Sequence, residues 1–375
     1  MTKTGLVGKA AQLASGVVMS ALIAGTAATA DTHRPECFSP APGSGTKQYE
    51  AKDGPYRLAF VNGFAGNDWR VQAIQSAKAW AARPGNAGKI KEFKVVSVGN
   101  DAAAQIAAID NFIAAGFDAV TFIAVNPTAF NAVISRAERA GTILVPFDNI
   151  LDTDRVVQVN ESQTALESTK AEAVIDALGG RDEISGKGIK ILEVRGLPGN
   201  STDRDRHLAV QDIFGKIDGA EIVEVVGNWD TGTSQKVVAD ALATHGEFDG
   251  VVSQHGTAGT INALLAADHP IIPIGGDGEN GVRMLMAEHG IPGVSAVYAP
   301  AMSAVALEAA VALLEGHELP QSIHLPIPND TTENFVDGKT MFSDLPKTFN
   351  LGTGYPDCFP VFTPEELLGQ SPDNN

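Results

Sequence analysis

From residue 56 onward the chain alternates two periodicities: short apolar runs, then stretches in which apolar side chains recur every three or four positions. The apolar runs predict strands at Arg57–Val61, Lys94–Val98, Ala119–Ile123, Thr142–Phe147 and Val156–Val159. The helical pattern is clearest over Ala104–Ala115, where Ile106, Ile109, Phe112 and Ile113 share one face. After a helix predicted over Ser162–Leu178 the rhythm restarts, with strands at Lys190–Val194, Glu221–Val226, Gly250–Ser253, Ile271–Ile274 and Val294–Val297 and a helix at Met302–Leu314. Apolar strands alternating with helices form parallel sheets covered on both faces. The pattern therefore predicts an α/β chain with two doubly wound parallel-sheet lobes. Beyond the Pro-rich "LPIPND", from about Asn329, periodicity weakens and turn residues multiply, which predicts an irregular C-terminal extension.

The first 30 residues stand apart. Lys3 and Lys9 precede an apolar run from Leu13 to Ala24, and Ala28 and Ala30 form an A-x-A site, the order of a secretory leader cleaved after Ala30. The run is shorter than the roughly 20 apolar residues a membrane span needs. A periplasmic protein is expected, with residues 31–55 as an N-terminal extension. Removing Lys3 and Lys9 takes the formal charge from −18 to about −20, which opposes nucleic-acid and anionic-membrane partners. The chain also exceeds the roughly 250–300 residues at which a single core stops growing, in keeping with two lobes. Its two cysteines, Cys37 and Cys358, would meet in an oxidising compartment as a disulfide, two unpaired thiols being the alternative.

Ligands of open parallel sheets gather beyond the carboxyl ends of the strands. Those ends carry "GNDWR", with Asn67, Trp69 and Arg70; "PFDN", with Asp148 and Asn149; and "GNSTDRDRH", with Arg204 and Arg206. They continue with "NWD" (Trp229), "SQHG" (Gln254, His255), "IGGDG" (Asp277) and "SAVYAP" (Tyr298). Carboxylates, amides and guanidinium groups satisfy hydroxyls that both donate and accept, while flat rings cover apolar C–H faces. This combination suits a neutral sugar or polyol and needs no cofactor, metal or activated nucleophile. Plainer roles compete at single positions: Trp69 could pack inward, Arg206 could be a solvated helix-start charge, and Asp68 fits a helix cap. Trp80 belongs to the core and Arg204 to the surface.

Taken together, these motifs resemble the ribose-binding type of periplasmic sugar-binding proteins, the soluble components of ABC importers, over about Tyr56–Pro326. The resemblance implies the type I periplasmic binding protein fold, with a three-strand hinge crossing near Asn160, Pro300 and Pro326. The first lobe would comprise 56–160 with 300–325 and the second 161–299, leaving 326–375 as hinge return and extension. It further implies ligand contacts from Asn67, Trp69, Arg70, Asp148 and Asn149 on the first lobe and from Arg206, Trp229, His255 and Asp277 on the second. Asp148 would accept from two hydroxyls, and Tyr298 would stand beside a hinge strand. Arg70 stands where relatives carry a second aromatic, His255 and Gly256 replace an amide and an acid, and Tyr298 replaces an amide. The expected partners are a small neutral carbohydrate or polyol and an inner-membrane ABC permease, with the protein acting as a monomer.

Other classes fit less well. "GGDGENG" contains G-x-G-x-x-G, but late in the second sheet and with Tyr298 where a ribose-binding acid belongs. The eight histidines are scattered without metal-ligand spacing, and no G-x-S-x-G elbow is present. The remaining alternatives are a binding protein that presents its ligand to a chemoreceptor or sensor kinase and, further off, a carbohydrate-modifying enzyme using Asp148 and Asp277.

Overall fold

The first apolar run becomes the strand Tyr56–Asn62, along which only Arg57 is even partly exposed. Such a strand must be covered on both faces, and it is one of the two inner strands of a four-stranded parallel sheet. Ile90–Ser97 lies on one side of it, with Ala119–Phe122 and then Ile143–Pro146 on the other. The computed structural model describes Arg34–Asn375 apart from Asp357 and Pro360, so the leader predicted over residues 1–30 lies outside the described residues.

A second sheet repeats this order. Lys190–Arg195 pairs with Glu221–Val226 on one side and Gly250–Ser253 on the other, followed by Ile274–Asp277 and Gly293–Ala296, all parallel. In both sheets the strand order reverses beside the first strand, which opens a crevice at the carboxyl ends. The fold is the predicted α/β type with two parallel-sheet lobes.

The helix Met302–Leu314 returns to the first sheet. Every residue in it except Glu308 is buried, and it packs against the helix Asp68–Ala82 and the strands Ala119–Phe122 and Ile143–Pro146. Trp80 is buried as expected, its Nε1 donating to Glu308 Oε2 at 2.7 Å.

Several element boundaries differ from expectation for local reasons. The strand predicted at Ile271–Ile274 runs instead over Ile274–Asp277. Pro270 and Pro273 lack the N–H a central strand donates, while Gly275 and Gly276 hide the true strand from a hydrophobicity reading. A Cβ on Gly275 would stand 2.6 Å from that of Lys170, so the small residue lets the helix Gln163–Ala177 approach. The run at Val156–Val159 contributes Gln158–Glu161, which pairs in parallel with Ser322–Leu325 in a sheet of its own and meets the first sheet through the Phe147↔Val159 bridge. Asn67, and not Asp68, caps the helix Asp68–Ala82, its side chain accepting from Arg70 N.

The C-terminal segment is not wholly irregular. Asn329–Thr331 adds an antiparallel edge strand to the second sheet, pairing with Gly293–Ala296. Pro364–Leu368 forms a short helix with a capping box from Thr363 and Glu366 and packs on Asp68–Ala82. The last residues pair with the outer strand of the first sheet, Val95 N donating to Asn375 Oδ1 at 2.6 Å. Near the other terminus, Thr46–Lys47 pairs with Leu319–Pro320 and Phe38 packs edge-on against Phe359.

Cys37 and Cys358 form the expected disulfide across a sequence separation of 321 residues. A cross-link of this span removes chain entropy from the unfolded state. Replacing both cysteines with alanine should therefore lower stability by about 2–4 kcal/mol, read as a lower denaturant midpoint; an unchanged midpoint would show that the bridge contributes nothing.

Candidate functional site

Nine of the ten predicted ligand residues surround one cavity. They are Asn67, Trp69, Arg70, Asp148, Arg206, Trp229, His255, Asp277 and Tyr298, joined by Lys170, Thr202, Gln254, Gly278, Ala296 and Asn350. The non-atom space they surround is about 460 Å³, including the part open to solvent. Asn149 is not among the lining residues; its Oδ1 accepts from Thr202 Oγ1 at 2.8 Å, a contact between the lobes.

On the first lobe, the start of Asp68–Ala82 delivers Trp69 and Arg70. Trp69 stacks on the Tyr298 ring with centroids 5.4 Å apart and donates from Nε1 to Tyr298 O at 2.7 Å. Arg70 Nη1 donates to Asn62 Oδ1 at 3.1 Å, and its Nη2 lies 3.3 Å from Asp148 Oδ2. Asp148 sits in left-handed backbone, φ 61°, a strained conformation of the kind that collects at functional sites. Burial raises the Asp148 carboxyl above its ordinary range, partly offset by the Arg70 guanidinium and the Tyr298 hydroxyl. Its oxygens meet Arg70 and the Tyr298 hydroxyl, the latter at 2.8 Å.

On the second lobe, Arg206 is buried on Ser201–Phe214. Its Nε donates to Gln163 Oε1 at 2.7 Å and its Nη1 to Gln254 O at 3.1 Å, while Nη2 is buried without a partner. The guanidinium lies 4.7 Å from the Tyr298 ring centroid. Trp229 enters the cavity because Asn228 and Trp229 are both left-handed, φ 55° and 56°, in a turn closed by Asp230 N donating to Gly227 O. The indole lies against Gly196, where a Cβ would fall 2.0 Å from the ring, and its Nε1 donates to Gln254 Oε1 at 3.1 Å.

His255, Asp277 and Glu279 form a buried chain. His255 Nδ1 is 3.4 Å from Asp277 Oδ2 and its Nε2 is 3.3 Å from Glu279 Oε1. Burial holds the imidazole below its usual pKa despite Asp277. Burial also opposes ionisation of Asp277, but His255 and the Thr257 and Glu279 backbone N–H groups outweigh it and keep that carboxyl low. Burial, Asp277 and Asp68 push Glu279 up to about 9. One donor atom from each of the three lies within 4.8 Å of the others, a spacing open to a cation. Asp277 is already engaged by Thr257 N, Thr257 Oγ1 and Glu279 N.

The lobes meet around this cavity. Asn67 Nδ2 donates to Trp229 O at 3.2 Å, Ser201 Oγ to Ile150 O at 3.0 Å, and Arg204 Nη1 pairs with Asp152 Oδ2 at 3.3 Å. A model of the periplasmic binding protein domain matches residues 58–318, well over half of the chain. The chain belongs to the periplasmic binding protein domain family. Among curated relatives it is 24% identical over 243 residues to the ribose import binding protein of Bacillus subtilis (strain 168), covering 63% of this chain and 76% of that one. It is also 24% identical over 197 residues to the xylitol-binding protein of Mycolicibacterium smegmatis, covering 50% and 54%. An ABC transporter solute-binding protein from Thermobispora bispora DSM 43833 superposes with a TM-score of 0.66 at 28% identity, covering 73% of this chain and 84% of that one.

Within this periplasmic binding protein, sequence reasoning missed Lys170, Glu279 and Asn350. Lys170 Nζ donates to Glu167 Oε2 at 3.0 Å and to Ser253 O at 2.9 Å. Its place inside a helical pattern gave no signal, though Gly275 opposite it could have. Asn350 comes from the extension, where no periodicity points to a site.

Glu161 lies where the lobes join, accepting from the Tyr355 hydroxyl at 2.7 Å and Ala299 N at 3.1 Å, with Oε2 unpartnered. Burial outweighs these donors and raises it to about 8. Between about pH 4.5 and 8 the folded state thus holds a proton that the unfolded state has released, so this group makes stability fall as pH rises. Glu161→Gln should flatten that part of the stability profile; an unchanged slope in thermal melts between pH 5 and 8 would dismiss the assignment.

Proposed function

We propose that the protein captures a neutral monosaccharide or short polyol between its lobes and delivers it to an inner-membrane ABC permease, without chemistry of its own. The observation that carries this reading is the balance of charge inside the cavity. Arg70 faces Asp148 and Lys170 faces Glu167, at 3.3 and 3.0 Å. Asp277 and the unpaired Arg206 add one charge of each sign, while burial favours the neutral forms of His255 and Glu279. An ionised ligand would upset this balance in a water-poor site, whereas hydroxyls can accept from Arg206 Nη2 and pack their C–H faces on Trp69 and Trp229.

The names of the relatives, ribose import and xylitol binding, agree with a sugar or polyol. Family membership agrees with export to the periplasm, and on this reading the leader is removed after Ala30. Asn67, Trp69, Arg70, Asp148, Arg206, Trp229, His255, Asp277 and Tyr298 form the ligand site. Asn149 acts beside it by holding Thr202. The carboxylates of Asp148 and Asp277 are both engaged by protein donors, which supports binding over acid–base catalysis. Ligand favours the closed form because only there do both lobes touch it.

A thermal-shift panel of pentoses, hexoses and polyols tests the proposal. A bound member at 100 times its dissociation constant should stabilise by about 2.7 kcal/mol, and Arg206→Ala should abolish the shift while leaving the ligand-free protein folded. Stabilisation by an amino acid or peptide, with none by any neutral carbohydrate, would overturn it.

A further inference from the structure

The family match ends at residue 318, yet Asn350 lines the cavity. The segment that carries it grips both lobes within a few residues. On the second lobe, Asn280 N donates to Phe349 O at 2.8 Å, Gly281 N to Lys347 O at 2.7 Å, and Leu351 N to Gly278 O at 2.9 Å. On the first lobe, Gln72 clasps the Asn350 backbone from both sides: Gln72 Nε2 donates to Asn350 O at 2.8 Å and Asn350 N donates to Gln72 Oε1 at 2.9 Å. Gln72 is one turn beyond Trp69 on the same helix. Close packing fixes the path further, since a Cβ on Gly352 would lie 2.4 Å from Ala299 Cα.

This placement leaves the Asn350 side chain in a telling state. The residue is only 2% exposed, and its Oδ1 accepts from Gly352 N at 2.8 Å. Among the described residues no acceptor meets its Nδ2. Nδ2 is not among the wholly enclosed side-chain atoms without a partner, so its N–H donors remain open to an incoming acceptor, and Asn350 lines the cavity through which a ligand would come.

We infer that Asn350 is a direct ligand contact that donates its amide N–H groups to a ligand oxygen, so that the C-terminal segment supplies part of the binding wall and helps set specificity. The inference rests on the carbohydrate-binding reading above. It assigns the extension a share in recognition that residues 58–318 do not contain. Arg206 Nη2 offers a second unpartnered donor to the same cavity, so a ligand oxygen can be approached by a neutral donor as well as a charged one.

Calorimetric titration of the full mature chain at 25 °C with D-ribose, xylitol and myo-inositol tests it. Asn350→Ala removes the donors and should weaken whichever probe binds the wild type by tenfold or more. Asn350→Asp keeps the size and the acceptor for Gly352 N, so it should hold the fold even if the alanine variant does not. It exchanges the donors for a carboxylate beside Glu279 and should also lose tenfold or more. Ligand-free melting of each variant shows whether it is folded before its affinity is read, and a loss of affinity in a variant that stays folded separates ligand contact from a scaffolding role. Wild-type binding with every folded variant within twofold overturns the assignment and leaves the carbohydrate reading standing. No heat or melting shift from the wild type with these probes or the wider sugar panel overturns the carbohydrate reading itself, and this inference with it.

Discussion

The candidate site is organised around the side chain of Tyr298. Its hydroxyl lies 2.8 Å from Asp148 Oδ1 and 2.9 Å from Asn160 Oδ1, which share its one proton, and it accepts from Gln163 Nε2 at 2.7 Å. One face of its ring carries the Trp69 indole, the Arg206 guanidinium lies against the ring as well, and its carbonyl receives Trp69 Nε1. A single residue between the lobes thus orients the acid of one wall, the cation of the other and an aromatic surface between them. Burial raises its pKa well above the ordinary value, so it stays a neutral phenol and a donor throughout the accessible pH range. A carboxylate that must accept needs such a fixed partner, because in a site sparing of water an unpaired charge costs several kcal/mol.

The same economy explains the strain at the site. Asp148 and Trp229 both occupy left-handed backbone, where a non-glycine residue costs of order 1–3 kcal/mol. Asp148 is held by its contacts with Arg70 and Tyr298, and Trp229 by the Gly227–Asp230 turn in which it sits and by Gly196 beneath its ring. Pre-positioned groups lose little freedom when a ligand arrives. The strain is therefore a cost of folding that spares a cost of binding.

Most of the fold was legible because its strands are short, apolar and regularly spaced. It failed to be legible where glycine or proline broke the hydrophobic signal, as at Ile274–Asp277, and where an edge strand is polar, as at Asn329–Thr331. At the site, residues at strand ends could be read because topology directs strand ends to the crevice. Lys170 points there from the middle of a helix, Asn350 from a segment without periodicity, and neither position is marked by local sequence. The role of Asn149 was obscured for the opposite reason: it stands at a strand end but spends its side chain on Thr202.

The contacts between the lobes also differ in strength from place to place. At the mouth, Arg204 and Asp152 are 46% and 43% exposed, and an ion pair of that kind contributes about 0–1 kcal/mol. The neighbouring Asn67–Trp229 and Ser201–Ile150 hydrogen bonds add roughly 0.5–1.5 kcal/mol each. Deeper between the lobes the contacts are of another order: Tyr298 with its three polar partners, Glu161 receiving Tyr355 and Ala299 N, and the backbone of Asn350 clasped by Gln72, all buried. The contacts at the mouth are few and weak, whereas those around Tyr298 and Glu161 hold buried polar groups in place. Contacts between the lobes are thus few and exposed at the mouth, and buried and polar around Tyr298, Glu161 and Asn350.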